Sequence, residues 1–183
     1  MGTIYVFMAD GFEDIEALAT VDVLRRGGLE VNMVSVNGTT TVRSAHGVTV
    51  GCDARFEDLA FDDAAMLVLP GGMSPGAQVL NEHEGLRALL LKADKAELPM
   101  AAICAAPYGL GGLGLLKGRR ATCYPGFESY LQGAVYTAAQ VEQDGRFITG
   151  NGPGAALPFA FALLEFCCGK EKTEEIRSGM MAR

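Results

Sequence analysis

The sequence predicts an α/β fold, a mostly parallel sheet with helices on both faces and a small hairpin. Two observations carry this reading. Apolar runs at Thr3–Met8, Ala65–Leu69 and Met100–Ile103 are short, rich in strand-forming residues and end abruptly on small-residue turns, as buried parallel strands do. Segments of helical period separate them, and the first strand–helix–strand unit closes within 36 residues, which implies parallel strands joined by a right-handed crossover.

Thr3 to Met8 is the first strand, and Ala9-Asp10-Gly11-Phe12 is a turn. Glu13 to Arg26 has helical spacing, with Ile15, Leu18, Ala19, Val21 and Val23, and Gly27-Gly28 stops it. Leu29 to Val36 is the second strand. Val42 and Val48–Val50 are expected as short strands flanking a turn at Gly47. Phe56 to Asp63 is acidic and is expected at the surface. Ala65 to Leu69 ends in Pro70-Gly71-Gly72, a short helix follows at Gly76–Asn81, and Glu84 to Ala96 is amphipathic, with Leu86, Leu89, Leu90 and Ala93 on one face. Gly118 to Thr122 is expected to begin another strand. Val141 to Thr149 reads as a hairpin turning at Asp144-Gly145. Asn151-Gly-Pro-Gly154 is a third glycine turn. An apolar helix over Pro158–Cys168 is stopped by Gly169, and Lys170–Arg177 is a short charged helix. No linker or repeat divides the chain, so one domain over residues 1–183 is expected.

The formal charge is −7, which argues against non-specific nucleic-acid binding, since that needs a basic surface. No apolar run reaches the ~18 residues of a membrane span, and the first residues lack a signal-peptide pattern; a cytoplasmic location is the expectation. The five cysteines, Cys52, Cys104, Cys123, Cys167 and Cys168, form no CxxC pair, and His46 and His83 stand in no ligand spacing with them. Neither a disulfide framework nor a metal site is expected.

The stretch Pro99–Gly112 concentrates the chemistry. Met100–Ile103 ends on Cys104, Ala105 and Ala106 allow a tight turn, and Pro107 suits the first turn of a helix. Such an elbow holds a side chain at the carboxyl edge of a sheet, faced by amide N–H groups and a helix N-terminus. A thiol there is expected to ionise more readily than its reference value of about 8.5. A small buried cysteine closing a strand fits the same residues. Binding crevices of open α/β sheets lie beyond the carboxyl ends of the strands, where Asp10-Gly11, Gly71-Gly72, Cys104-Ala105 and Gly150–Gly154 all fall. None matches a phosphate-binding motif, and the carboxylates of Asp10 and Glu13 would repel a flavin phosphate.

Four motifs together are more specific than any turn: Gly11-Phe12-Glu13-Asp14-Ile15-Glu16, Leu69-Pro70-Gly71-Gly72, Ala102-Ile103-Cys104-Ala105-Ala106-Pro107 and Gly152-Pro153-Gly154. In this order, over nearly the whole chain, they closely resemble the ThiJ/PfpI superfamily. The resemblance implies a flavodoxin-like three-layer sandwich, usually homodimeric, acting on small molecules without a cofactor. It implies that Cys104 is the reactive thiol and Glu16 the carboxyl hydrogen-bonded to it. The residues alone leave Glu16 as one of three acids near a helix start, where the dipole favours any of them. By the same resemblance the amides of Gly72 and Ala105 face the elbow and could form an oxyanion hole. Peptidase-like members carry His directly after the cysteine; here that position is Ala105. Other members place His before a later proline; here it is Tyr124, which can position a substrate but is a poor base with a reference pKa of about 10. His46 falls where some relatives have an Arg reaching the neighbouring subunit's site.

These residues support an enzyme acting on small reactive carbonyl compounds, glyoxalase-like or deglycase-like, with Cys104 as nucleophile and Glu16 as proton shuttle. The alternatives are a thiol redox sensor or stress-response protein, a peptidase or amidase (weakened by Ala105), and a hydratase of a small imine or isonitrile.

Overall fold

A computed structural model describes residues 2–182. In chain order the elements are β1 (Thr3–Met8), α1 (Asp14–Arg26), β2 (Val31–Ser35), β3 (Thr41–Arg43), β4 (Thr49–Gly51), β5 (Ala54–Arg55), β6 (Ala64–Leu69), α2 (Gly76–Glu82), α3 (Glu84–Lys95), β7 (Met100–Ile103), α4 (Pro107–Gly112), β8 (Arg120–Ala121), β9 (Val135–Tyr136), β10 (Val141–Asp144), β11 (Phe147–Gly150) and α5 (Ala156–Gly179). A seven-stranded sheet runs β10-β11-β7-β6-β1-β2-β5. Every pairing in it is parallel except β10 with β11.

All six residues of β1 and all four of β7 are buried. Because successive side chains point to opposite faces, this requires cover on both sides of the sheet. One group of helices is α1 packed along α5; α2, with α3 and α4 against it, forms another. Gly27 makes the first contact possible, since a Cβ there would collide with Leu164 of α5. The amphipathic reading of α3 holds, with Leu86, Leu90 and Ala93 buried. In α1, Ile15 is 56% exposed, and the buried face is Glu16, Ala17, Thr20, Val21, Val23 and Leu24. The α5 backbone breaks at Gly169 (φ 80°, ψ 169°), where the apolar and charged halves were expected to part.

Three local expectations are corrected. The hairpin pairs Asp144 with Phe147, so its two turn residues are Gly145 and Arg146, one position later than the Asp-Gly signal suggests. This register buries Phe147 and Thr149 completely or nearly so, and the turn accommodates it because Gly145 takes the positive φ of 60°. The Gly118–Thr122 strand shrinks to Arg120–Ala121 and pairs only with β9, outside the main sheet. The Phe56–Asp63 segment is not simply surface: Phe56 and Phe61 stack at 4.9 Å and pack near Phe7, while its carboxylates stay outside. The apolar side chains of this segment bury themselves and leave its acids in water.

Phe159 on α5 is fully buried and lies over Gly150 at the end of β11, whereas Phe166 on the same helix is 38% exposed. Phe159→Ala is expected to lower unfolding free energy by ~3–5 kcal/mol and Phe166→Ala by less than ~1 kcal/mol, measured by urea denaturation of both variants.

Candidate active site

The strands β11, β7, β6 and β1 are consecutive neighbours and parallel, so the turns that follow them meet at one sheet edge. Backbone hydrogen bonds stitch them together. The Cys104 N–H donates to Gly150 O (2.9 Å), the Tyr124 N–H to Cys104 O (2.8 Å), and the Glu13 N–H to Gly71 O (3.0 Å). Cys104 itself sits at φ 64°, in the left-handed region. For a residue with a Cβ this costs of the order of 1–3 kcal/mol and persists only where surrounding structure over-determines it. Pro107 then opens α4 as its first residue. The elbow read from the sequence is present.

Glu16 comes to this edge from the first turn of α1. Glu13 caps that helix, its Oε2 accepting from the Glu16 N–H at 2.8 Å. The Glu16 side chain therefore points inward, and the residue has no exposed surface. Its Oε2 accepts the Gly71 N–H at 2.9 Å, while Oε1 is buried with no partner of its own. Gly71 lies between the two groups: a Cβ on it would overlap both the Cys104 Cβ and Glu16 Oε2. From the sequence, Gly72 has a part through the resemblance, whereas Gly71 stands only as part of a turn. The signal available was that two glycines stand where one would have sufficed for the bend. Gly72 meets a different demand, with φ 132° and a Cβ position filled by Gly11 O.

Burial pushes the Glu16 carboxyl up to about 7; the nearby Glu13 charge adds to this, while hydrogen bonding from Cys104 and the Gly71 amide opposes it. The Cys104 thiol is pushed up to about 12, first by burial and then by the Glu16 charge and hydrogen bond, against the pull of the Ala105 and Gly72 amides. The expectation of a readily ionised thiol is thus corrected. The elbow amides act as expected, but burial and an adjacent carboxylate outweigh them. The two groups titrate as a coupled pair, because each one's charge disfavours the ionisation of the other.

The remaining residues divide. Gly72 and Ala105 present their amides to the sulfur. Tyr124 is brought to the elbow through its backbone, but its ring lies against Gly152, about 3.1 Å from the position a Cβ would take there. His46 lies in an exposed turn beside the start of α1. Its side chain is 72% exposed and its Nδ1 is 2.7 Å from Asp14 Oδ2 of the same chain, which raises the imidazole pKa. Asp14 also accepts from Ser44 Oγ. Against the effect of its partial burial, Ser44 and His46 hold Asp14 below the usual carboxylate range. Glu13, Asp14 and His46 bring ligand-type atoms within 4.8 Å of one another, yet Glu13 is engaged in the helix cap and the other two in this exposed turn.

A cleft of about 320 Å³ opens beside the elbow. Gly72, Ala105, Tyr108, Phe127 and Tyr130 are among the residues that line it. Nothing in the local sequence marks these three rings as a set, because they come from α4 and from a loop about 20 residues later.

Comparison with known proteins gives the family. The sequence model of the DJ-1/PfpI family matches residues 2–166, and the chain belongs to that family. It is 38% identical to protein DJ-1 homolog A of Arabidopsis thaliana over 99% of this chain and 47% of that protein, so the chain spans about half the length of that relative. It is 34% identical to a deglycase of Pyrococcus abyssi over 82% of this chain and 90% of that protein. The solved structure of oxidized Toxoplasma gondii DJ-1 superimposes with a TM-score of 0.94 at 32% identity, covering 100% of this chain and 99% of that one. The flavodoxin-like α/β architecture is therefore the observed one. Among the described residues, no helix is long and apolar enough to cross a membrane.

Gly71→Ala is expected to displace Glu16 or Cys104 and to lower the melting temperature by several degrees, whereas Gly154→Ala, whose Cβ meets nothing within 4 Å, leaves it within about 1 °C; paired thermal melts check this. Glu16 also makes stability pH-dependent. Its pKa is higher in the folded chain, so the stabilisation from its bound proton is fully present below about 4.5 and is lost as pH rises to about 7. Between pH 5 and pH 8 the unfolding free energy of wild type is expected to fall relative to Glu16→Gln by a few kcal/mol, on the order of 3 at most. Parallel urea-stability profiles for the two proteins would remove this role from Glu16.

Proposed function

We propose that the chain is a cysteine-dependent enzyme acting on small reactive carbonyl compounds, with a glyoxalase- or deglycase-type outcome. The observation that carries it is the Cys104–Glu16 pair, buried at the sheet edge on either side of Gly71 and faced by two backbone amides. The deglycase of Pyrococcus abyssi at 34% identity supports the same class of chemistry.

The steps follow from the pair. The Cys104 sulfur adds to the aldehyde carbon of an α-oxoaldehyde, and the thiol proton passes to Glu16. The new oxyanion sits at the Gly72 and Ala105 amides and takes up a proton, giving a hemithioacetal. Transfer of the carbon-bound proton from C1 to C2 through an enediol oxidises C1 and reduces C2, leaving a 2-hydroxy thioester. Water then releases the hydroxy acid and restores the thiol. The net change adds one water to the substrate, and no external oxidant or reductant enters. A carboxyl with a pKa of about 7 can both accept and return these protons. A high-pKa thiol need not ionise in advance, because its proton has an adjacent acceptor. The chain supplies no histidine after Cys104, which disfavours the peptidase reading.

A second reading, thiol sensing, has its own support: a buried carboxyl can donate to a sulfinate oxygen at the same sulfur, and a relative has been solved in oxidized form. A homodimer in which His46 reaches a neighbouring site belongs to the same proposal. Ile15 on α1 and Val48, two residues after His46, are exposed and offer apolar surface for such a contact.

Purified protein is expected to convert methylglyoxal to lactate, and Cys104→Ser to lose at least about a thousandfold in kcat/KM. The wild-type kcat/KM should rise with pH, levelling above about 7 as Glu16 becomes able to accept the thiol proton. Equal rates in wild type and Cys104→Ser would sink the enzyme reading. Selective addition of two oxygens at Cys104 under mild peroxide, seen by intact mass without any turnover, would replace it with sensing.

A further inference from the structure

We propose that the cleft beside the elbow selects carbonyl compounds that carry a planar aromatic substituent; this deepens, and rests on, the reading of Cys104 as a carbonyl nucleophile. The cleft is lined both by Gly72 and Ala105, where that reading places the reacting oxygen, and by three rings. Tyr108 and Tyr130 meet edge-to-face at 4.7 Å and 63°, and Phe127 lies 5.9 Å from Tyr130. Edge-to-face pairs leave a ring face or edge open to a further ring, which offset or T-shaped contact then satisfies. Tyr130 is 46% exposed. The Tyr108 hydroxyl oxygen accepts from the Asn81 amide, which fixes the ring where it lines the cleft with Phe127 and Tyr130. Met73, also exposed, adds a polarizable thioether that suits aromatic contact.

Size and charge point the same way. The volume of about 320 Å³ exceeds the about 150 Å³ that suffices for a benzene ring. A methyl group on the substrate would leave most of it filled by water. No residue lining the cleft is charged. The nearest polar side chains, Ser74 and Gln78, are engaged with one another, and Gln78 also bonds Glu82. A cationic or anionic substituent would find no counter-charge there, whereas a neutral aryl group loses nothing on entry.

Phenylglyoxal and methylglyoxal present the same oxoaldehyde and differ only in phenyl against methyl, so their kcat/KM ratio reads the cleft. A ratio of about ten or more in favour of phenylglyoxal is expected. Tyr130→Ala should lower it at least about threefold, Tyr130→Phe should retain it, and Phe166→Ala, an exposed ring on α5, should leave it at the wild-type value. Binding without chemistry is measured separately by NMR titration with acetophenone and acetone, where acetophenone should bind about tenfold tighter and lose that advantage in Tyr130→Ala. If methylglyoxal is turned over but the ratio is near one and acetophenone binds no better than acetone, the aromatic selectivity is wrong and the enzyme reading stands. If neither oxoaldehyde is turned over while acetophenone binds in a Tyr130-dependent way, the aryl-binding cleft stands and the turnover reading falls.

Discussion

The site depends on keeping one carboxyl out of water. Glu16 has no exposed surface, and among the described residues one backbone amide, that of Gly71, and the Cys104 thiol are all that bond its carboxyl. A full negative charge there would be poorly compensated, so the carboxyl retains its proton to about neutrality. Three pieces of backbone must be in place to hold it this way. The helix α1 must begin at Asp14, which the Glu13 cap secures. The turn after β6 must bring an amide to the carboxyl without a side chain, which only Gly71 allows. The sulfur must arrive from β7 at the same depth.

That last requirement explains the backbone at Cys104. A left-handed cysteine is unfavourable by itself, but its peptide groups are committed on both sides. Its N–H bonds to Gly150 on β11, its carbonyl accepts from Tyr124, and the next turn closes through the Ala106 N–H onto Ile103 O. Freeing Cys104 from its positive φ would break bonds to two other segments. The strain is therefore held by the sheet edge as a whole, and the thiol is oriented without depending on its own side-chain contacts.

Much of this was legible in the chain because buried parallel strands leave an undiluted signal. The runs Thr3–Met8 and Met100–Ile103 were found with their observed ends, since every residue in them is buried and the turns that follow are made of small residues. Where two signals competed, the local one misled. Asp144-Gly145 is a strong hairpin dipeptide, yet the burial of Phe147 and Thr149 sets the register and moves the turn to Gly145-Arg146. Phe56 and Phe61 were masked by the acids around them, because their partners Tyr5 and Phe7 lie some 50 residues away. The thiol's titration was misread for a related reason. An elbow's amides can be inferred from neighbouring residues, whereas desolvation by the whole fold cannot. Resemblance placed Glu16 at the sulfur; no spacing rule could have separated it from Glu13 and Asp14, which the fold uses as a cap and as the partner of His46.

The two readings of the sulfur, turnover and sensing, require the same pair, and so the pair cannot distinguish them. A protonated carboxyl beside a sulfur can return a proton to a carbonyl adduct or donate a hydrogen bond to an oxidised sulfur. The difference lies in what surrounds the pair. A sensor needs only an approach wide enough for peroxide. A site that turns over organic carbonyls needs a surface on which the rest of the molecule can rest while the sulfur adds to it. The Tyr108, Phe127 and Tyr130 wall, directly continuous with the two amides at the elbow, is such a surface. An aromatic cleft of this size has no use in peroxide sensing. That asymmetry favours catalysis at Cys104.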